Sequence, residues 1–239
     1  MIETNNLTKR YPNVIAVDRL NLTIMSGELF TLLGLNGAGK TTTIKMLSCL
    51  TRPTDGDARV GGHSVVDHPA AVKRLIAVSP QETAVAPLLT VRENLVLMCG
   101  IHGYSKVQTA EKVTALAQLF DLQSVLNRKA ATLSGGWQRR VSIAMALVSD
   151  PSVLFLDEPT LGLDVIARGE LWDIIRGLKG QVTVVLTTHY MEEAAALSDR
   201  IGVMQDGRLR AVGTVEELRA RTQTNTLEEA FIRIVREGV

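Results

Sequence analysis

The sequence predicts an α/β fold in which a parallel-sheet core is interrupted by a helical insert and flanked by β-rich edges. Three observations carry this. The runs Glu28–Leu33, Val153–Leu156 and Val182–Leu186 have the continuous aliphatic character of strands buried on both faces. The first run is stopped by glycine and followed by helical spacing at Ile44, Leu47 and Leu50, the strand–loop–helix opening of an α/β unit. Between the first and second runs, the stretch from Leu88 to Val148 is mostly helical in pattern.

In chain order, Leu7 to Ile24 is β-like, with alternation at Leu20, Leu22 and Ile24 ending at the turn Ser26-Gly27. A helix is expected over Thr41–Leu50, closed by Arg52-Pro53. A β-rich patch follows at Asp57–Val66, and then an apolar strand at Leu75–Val78. In the insert, Val107, Ala110, Val113, Ala117 and Phe120 mark one helix face, and Trp137, Val141, Ala144 and Val148 another. After the two later core strands, Ile201–Met204 and Arg208–Val212 flank Gln205-Asp206-Gly207 as a hairpin. Thr226-Leu227-Glu228-Glu229 is a capping box that opens a helix through Arg236. The expectation is one domain over 1–239, with an α/β core at about 1–87 and 150–222, helices at about 88–149 and a C-terminal helix at about 226–237.

Composition narrows the function. Of 239 residues, 46% are hydrophobic and 21% charged, a globular balance. With 26 Lys+Arg against 25 Asp+Glu, the formal charge of +1 argues against a nucleic-acid partner gripped through bulk charge. Cys49 and Cys99 sit in apolar helical patterns without metal-ligand spacing and read as reduced core thiols. The N-terminus lacks a basic and an apolar signal region, and no run approaches the ~18 apolar residues of a membrane span. The expectation is a soluble, cytosolic chain with no transmembrane segment, which reaches a membrane only through a partner.

Gly34-Leu35-Asn36-Gly37-Ala38-Gly39-Lys40-Thr41 fits the phosphate-loop pattern, and Thr42 adds a second hydroxyl. Its glycines let successive amides turn toward phosphate oxygens, and the following helix adds its N-terminal partial charge. Lys40 supplies a full charge to the β- and γ-phosphates, and Thr41 offers a hydroxyl to Mg²⁺. Asp157 and Glu158 end the strand Val153–Leu156, on the edge where α/β sheets collect ligands. Strand alternation would send the two carboxylates to opposite sides, giving Asp157 to the metal and Glu158 to an attacking water. His189 follows Val182–Leu186 and is placed to touch the γ-phosphate, whereas His63, His68 and His102 have no such company. Gln81, just after Ser79-Pro80, can reach Mg²⁺ or the water without adding charge, and could couple nucleotide state to movement of the insert.

Leu133-Ser134-Gly135-Gly136-Trp137-Gln138-Arg139-Arg140 opens the Trp137–Val148 helix with a second N-terminus able to bind an anion. With that segment, nearly the whole chain resembles the ATP-binding subunit of ABC transporters. The resemblance implies a RecA-like phosphate-loop NTPase core with an antiparallel β subdomain and an inserted helical subdomain. It further implies two chains that sandwich two ATP head to tail, with Ser134, Gly135 and Gly136 touching the γ-phosphate held by the other chain's Gly37–Thr42. Asp164 matches the family's interface loop, and Tyr11, kept extended by Pro12, the aromatic that stacks on adenine. Leu35 stands where proline is common, and Leu161 where serine is usual, weakening one hydroxyl contact across the interface.

The implied function is an ATPase working with Mg²⁺, paired with a second copy or a related ATPase chain. It would lie on the cytoplasmic face of the membrane and drive a separate integral permease. The tail Thr226–Arg233 looks like that of bacterial exporter ATPases serving drugs, polysaccharides or lipids. Alternatives are an importer ATPase, a soluble ABC-type ATPase acting on ribosomes or DNA, and a plain phosphate-loop kinase. The near-neutral charge disfavours an RNA-binding role.

Overall fold

The structure, a computed structural model, describes residues 1–237. The chain runs through β1 (Ile2–Tyr11), β2 (Val14–Ile24), β3 (Leu29–Leu33), α1 (Lys40–Leu47), β4 (Asp55–Val60) and β5 (His63–Ser64). Next come α2 (Pro69–Leu75), β6 (Ile76–Ser79), α3 (Val91–Ile101), α4 (Lys106–Leu119) and α5 (Gly135–Ala146). The remainder is β7 (Val153–Asp157), α6 (Val165–Gly177), β8 (Thr183–Thr188), α7 (Met191–Leu197) and β9 (Arg200–Gln205). Last are β10 (Arg208–Gly213), α8 (Val215–Thr222) and α9 (Leu227–Glu237).

The three aliphatic runs become adjacent strands of a six-stranded sheet ordered β10-β9-β3-β8-β7-β6. Every residue of β3, β7 and β8 is buried. All neighbours from β9 to β6 are parallel, and β10 closes the edge as an antiparallel hairpin partner of β9. Alternation then sorts side chains into separate cores. Phe30, Leu32, Val153, Phe155 and Val185 pack with α1 and with the antiparallel sheet β2-β1-β4-β5. Leu29, Leu154, Leu156, Val184 and Leu186 pack with α3, α4, α5 and α6. Leu33 joins a third cluster with Ile201, Val203, Leu218, Phe231 and Ile234, which anchors α8 and α9. Each fully buried Leu or Phe contributes about 1.5–3 kcal/mol, so the central strands are the least deformable part of the molecule.

That rigidity matters because the parallel strands all end on one edge. Leu33 lies opposite Thr188, Thr187 opposite Asp157 and Leu156 opposite Ser79. The segments leaving β3, β8, β7 and β6 therefore start side by side.

The structure departs from the sequence reading in several places. α1 stops at Leu47, short of Leu50, because Cys49 turns left-handed at φ 56°. The amides of Leu50 and Thr51 then bond back to the Lys45 carbonyl at 2.8 and 3.0 Å, closing the helix before Arg52-Pro53. Cys49 is consequently half-buried beyond the helix, while Cys99 is a buried α3 thiol as expected. The β-rich patch holds only β4 and the two-residue β5. Leu75 belongs to α2, a short Pro-initiated helix with Val72 as its buried residue.

Candidate active site

The phosphate loop connects β3 to α1 in the shape its glycines allow. Gly37 and Gly39 adopt φ 83° and 101°. A Cβ on Gly39 would lie 2.3 Å from the Ala16 carbonyl oxygen, so glycine is required there sterically as well as torsionally. Lys40, the first residue of α1, is 5% exposed. Its Nζ donates to the carbonyls of Gly34 at 2.7 Å and Leu35 at 3.3 Å, holding the loop curled over its own helix. The same ammonium pairs with Glu158 Oε1 at 3.2 Å.

The loop borders a cavity of about 520 Å³. Asn36, Gly37, Ala38, Gly39, Lys40, Thr41 and Thr42 form its floor, and Tyr11, Gln81, Glu158, Leu161 and His189 its walls. Tyr11 ends β1 with 42% of its surface exposed, an aromatic face available at the rim. Asp157 stands just behind the loop, where its Oδ1 accepts from Thr41 Oγ1 at 3.1 Å and Thr187 Oγ1 at 2.5 Å. Thr41 and Asp157, bonded at 3.1 Å, and the Gln81 amide, which lines the same cavity as Thr41, are hard oxygen donors of the kind that hold Mg²⁺ sharing its shell with phosphate and water. Among the described residues no group of three His, Cys, Asp or Glu could hold a metal ion.

Strand alternation does not by itself decide where Glu158 points, because it stands beyond the strand. It lies one residue past β7 in a left-handed conformation, φ 49°, and its amide donates to the Thr187 carbonyl at 3.1 Å. Glu158 and His189 both line the cavity, and Glu158 Oε2 lies 2.7 Å from His189 Nδ1. The two acids differ through their partners: hydroxyls for Asp157, Lys40 and His189 for Glu158.

Ser134, Gly135 and Gly136 form the N-terminus of α5 and do not line this cavity. Gln138 braces their approach by donating to the carbonyls of Ala130 and Leu133 at 3.1 and 3.2 Å. Asp164 also stays outside the cavity and caps α6, accepting from the amides of Ile166 and Ala167 at 3.0 and 2.9 Å. The single chain thus assembles Tyr11, residues 36–42, Gln81, Asp157, Glu158 and His189, and leaves residues 134–136 and 164 apart.

Arg139 and Glu193 are among the buried charged groups to which the sequence reading assigned no role. Arg139 on α5 donates through Nη1 to the Pro80 carbonyl at 2.6 Å and through Nη2 to the Gln81 carbonyl. Burial pushes its guanidinium pKa down. Glu193 on α7 has no solvent exposure. Its Oε1 accepts from Thr160 Oγ1 at 2.8 Å and Trp172 Nε1 at 3.1 Å, while Oε2 has no partner. Burial raises its carboxyl pKa above the usual range. Arg139 lies in the quoted segment Leu133–Arg140 without a role of its own and Glu193 in no motif, and burial of a charge is not written in local sequence.

The family model described as ABC transporter matches residues 17–161. The daunorubicin/doxorubicin resistance ATP-binding protein DrrA of Streptomyces peucetius is 46% identical over 95% of this chain and 69% of its own length. The probable multidrug ABC transporter ATP-binding protein YbhF of Escherichia coli is 36% identical over 99% of this chain and 42% of its own length. Among solved structures, an ATP-binding subunit of an ABC transporter superposes with a TM-score of 0.86 at 28% identity, covering 98% of this chain and 99% of the other. The ATP-binding cassette MJ0796, solved as a post-hydrolysis dimer with ADP and Pi, gives 0.80 at 28% identity over 90% of this chain and 98% of its own.

Proposed function

The chain belongs to the ABC transporter family as an ATP-binding, ATP-hydrolysing subunit, and from that premise we propose that two chains close around two ATP molecules to drive a separate exporter permease. The observation that carries the catalytic part is the Glu158 carboxylate, held between Lys40 Nζ at 3.2 Å and His189 Nδ1 at 2.7 Å on the wall of the phosphate-loop cavity.

In this reading Tyr11 stacks on adenine, and the amides of residues 36–42 with the N-terminus of α1 take the phosphates. Lys40 neutralises the β- and γ-oxygens. Thr41, Asp157 and Gln81 hold Mg²⁺, which when bound offsets phosphate charge. Glu158 orients and polarises the attacking water, and His189 fixes the Glu158 carboxylate and reaches the γ-phosphate. Ser134, Gly135 and Gly136 present the α5 N-terminus to the ATP seated in the second chain, and the α6 N-terminus around Asp164 lies along the same interface. Loss of the shared γ-phosphate contacts lets the pair open. The pair is two copies of this chain or this chain with a related ATPase.

Export is supported by the drug-resistance and multidrug names of the relatives, with drugs, polysaccharides or lipids as cargo classes. Among the described residues no helix is long and apolar enough to cross a membrane. In this reading a separate permease supplies the path, and this subunit works at the cytoplasmic face.

The test is Glu158→Gln with MgATP. Turnover falls about 10²–10⁴-fold, the usual worth of a general base, ATP binding persists, and a dimer accumulates in size-exclusion chromatography with light scattering. Unchanged turnover overturns the role of Glu158, and a chain that stays monomeric overturns the sandwich. Affinity purification from solubilised native membranes checks the partner: a polytopic membrane protein in near-equal amount supports export or import by its class, and ribosomal or DNA-bound partners contradict both.

A further inference from the structure

Arg139 joins the segment that holds Gln81 to the helix that begins at Gly135. It sits in the first turns of α5, 4% exposed, and spends its guanidinium on the backbone carbonyls of Pro80 and Gln81. Among the described residues no carboxylate forms an ion pair with it, although Asp157 and Glu193 lie close enough to favour its charge. Burying a guanidinium against carbonyls alone is costly. The contact is reinforced one helical turn on, where Ser142 Oγ and Ser79 Oγ are 3.2 Å apart. The end of β6 is therefore pinned to α5 at two levels, and the upper pin holds the residue whose side chain enters the nucleotide cavity.

We propose that Arg139 is a positioning residue that makes Gln81 and the Ser134–Gly136 helix end move as one body, so that each ATP site reports on the other. This rests on the two-chain reading above, in which Gln81 faces its own chain's ATP and Ser134–Gly136 face the partner's. A planar fork with two parallel donors fixes both distance and orientation of the Gln81 backbone. When Gln81 follows its ligand, the α5 N-terminus four residues before Arg139 is carried with it. When hydrolysis releases Gln81, the cap over the other γ-phosphate is withdrawn through the same side chain.

The experiment is a double-mutant cycle between Arg139→Met and Gln81→Ala, read as kcat and as ATP affinity on purified protein. Arg139→Met lowers kcat at least 10-fold and changes ATP affinity less than 3-fold. The double variant is no slower than the worse single one, because both changes break the same link. Arg139→Gln, which keeps N–H donors without the charge, recovers a substantial part of kcat. Multiplying effects, or a Gln variant as slow as the Met variant, overturn the proposal. If Arg139→Met does not fold, the cycle is run with Arg139→Lys, which keeps one donor, under the same criterion. Dimer formation by Glu158→Gln with MgATP is followed alongside. Its failure in otherwise unaltered protein overturns the two-chain reading, whereas a normal dimer with multiplying effects overturns only the role of Arg139.

Discussion

Replacing Glu193 by Gln should flatten the pH dependence of stability. Glu193 is fully buried, its Oε1 is satisfied by Thr160 and Trp172, and Oε2 has no partner. Burial raises its pKa first, and the nearby Glu158 charge adds to the shift, against the lowering effect of the nearby Thr188 hydroxyl and of the Thr160 and Trp172 hydrogen bonds. A carboxyl whose folded pKa lies above its unfolded one keeps a proton that the unfolded chain has released. The stability this provides is complete below the unfolded pKa and is lost as pH rises toward the folded value. One proton is worth at most about 1.4 kcal/mol per pH unit. Glutamine presents the same Oε1 acceptor to Thr160 and Trp172 and does not titrate, so any unpaired amide adds only a constant offset. Urea unfolding of both proteins at half-unit steps from pH 4.5 to 8 should therefore show a gap that moves in favour of the variant by up to that slope as pH rises. Parallel curves across the whole range would refute the buried neutral acid.

Two further outcomes test the phosphate loop and the rim. Gly39→Ala forces a Cβ to 2.3 Å from a backbone carbonyl at φ 101°, whereas Gly37→Ala meets nothing within 4 Å. The former should abolish ATP binding and lower the melting temperature, the latter should cost only the ~1–2 kcal/mol of a left-handed alanine, and equal effects by calorimetry and titration would contradict the geometry. Tyr11→Ala should weaken ATP about 5- to 10-fold, the low end of base–aromatic stacking, with phenylalanine restoring it. Inorganic tripolyphosphate should bind unchanged, and equal weakening of both ligands would remove Tyr11 from the nucleobase.

What was legible in the sequence was what local chemistry dictates. The phosphate loop, the three buried strands and the acidic strand end follow from glycine spacing and aliphatic runs. Thr226-x-x-Glu229 showed its capping box, with Glu229 N donating to Thr226 Oγ1 at 3.2 Å. The same device at Thr90/Glu93, Ser105/Gln108 and Thr214/Glu217 was equally readable and marks the starts of α3, α4 and α8. The end of α1 was not readable, because it depends on Cys49 accepting a left-handed backbone that its side chain does not advertise. Nor was the left-handed backbone of Glu158, φ 49°, one residue past β7. Arg139 and Glu193 were invisible for a different reason: their partners, the carbonyls of Pro80 and Gln81 and the side chains of Thr160 and Trp172, come from elements that only the tertiary fold brings together.

On the proposed reading, Lys40 ties binding to chemistry through its limited number of donors. An ammonium has three N–H groups, and here their directions lead to the Gly34 carbonyl, the Leu35 carbonyl and Glu158 Oε1. A terminal phosphate oxygen that engages Nζ must take one of them. The Gly34 bond is the shortest and shapes the loop, so the phosphate competes with Glu158 or with the longer Leu35 bond. Taking the Glu158 direction leaves that carboxylate with His189 alone and turns Oε1 toward water. On the proposed reading, seating the γ-phosphate is thus the event that frees the base. It follows that Lys40→Ala is a poor measure of phosphate binding by itself. It removes a cation from a pair whose side chains are 5% and 9% exposed, and leaves a buried carboxylate uncompensated. The double variant Lys40→Ala with Glu158→Gln separates the two effects, since the neutral amide has no charge to strand, and whatever affinity remains lost is what Lys40 contributes to phosphate.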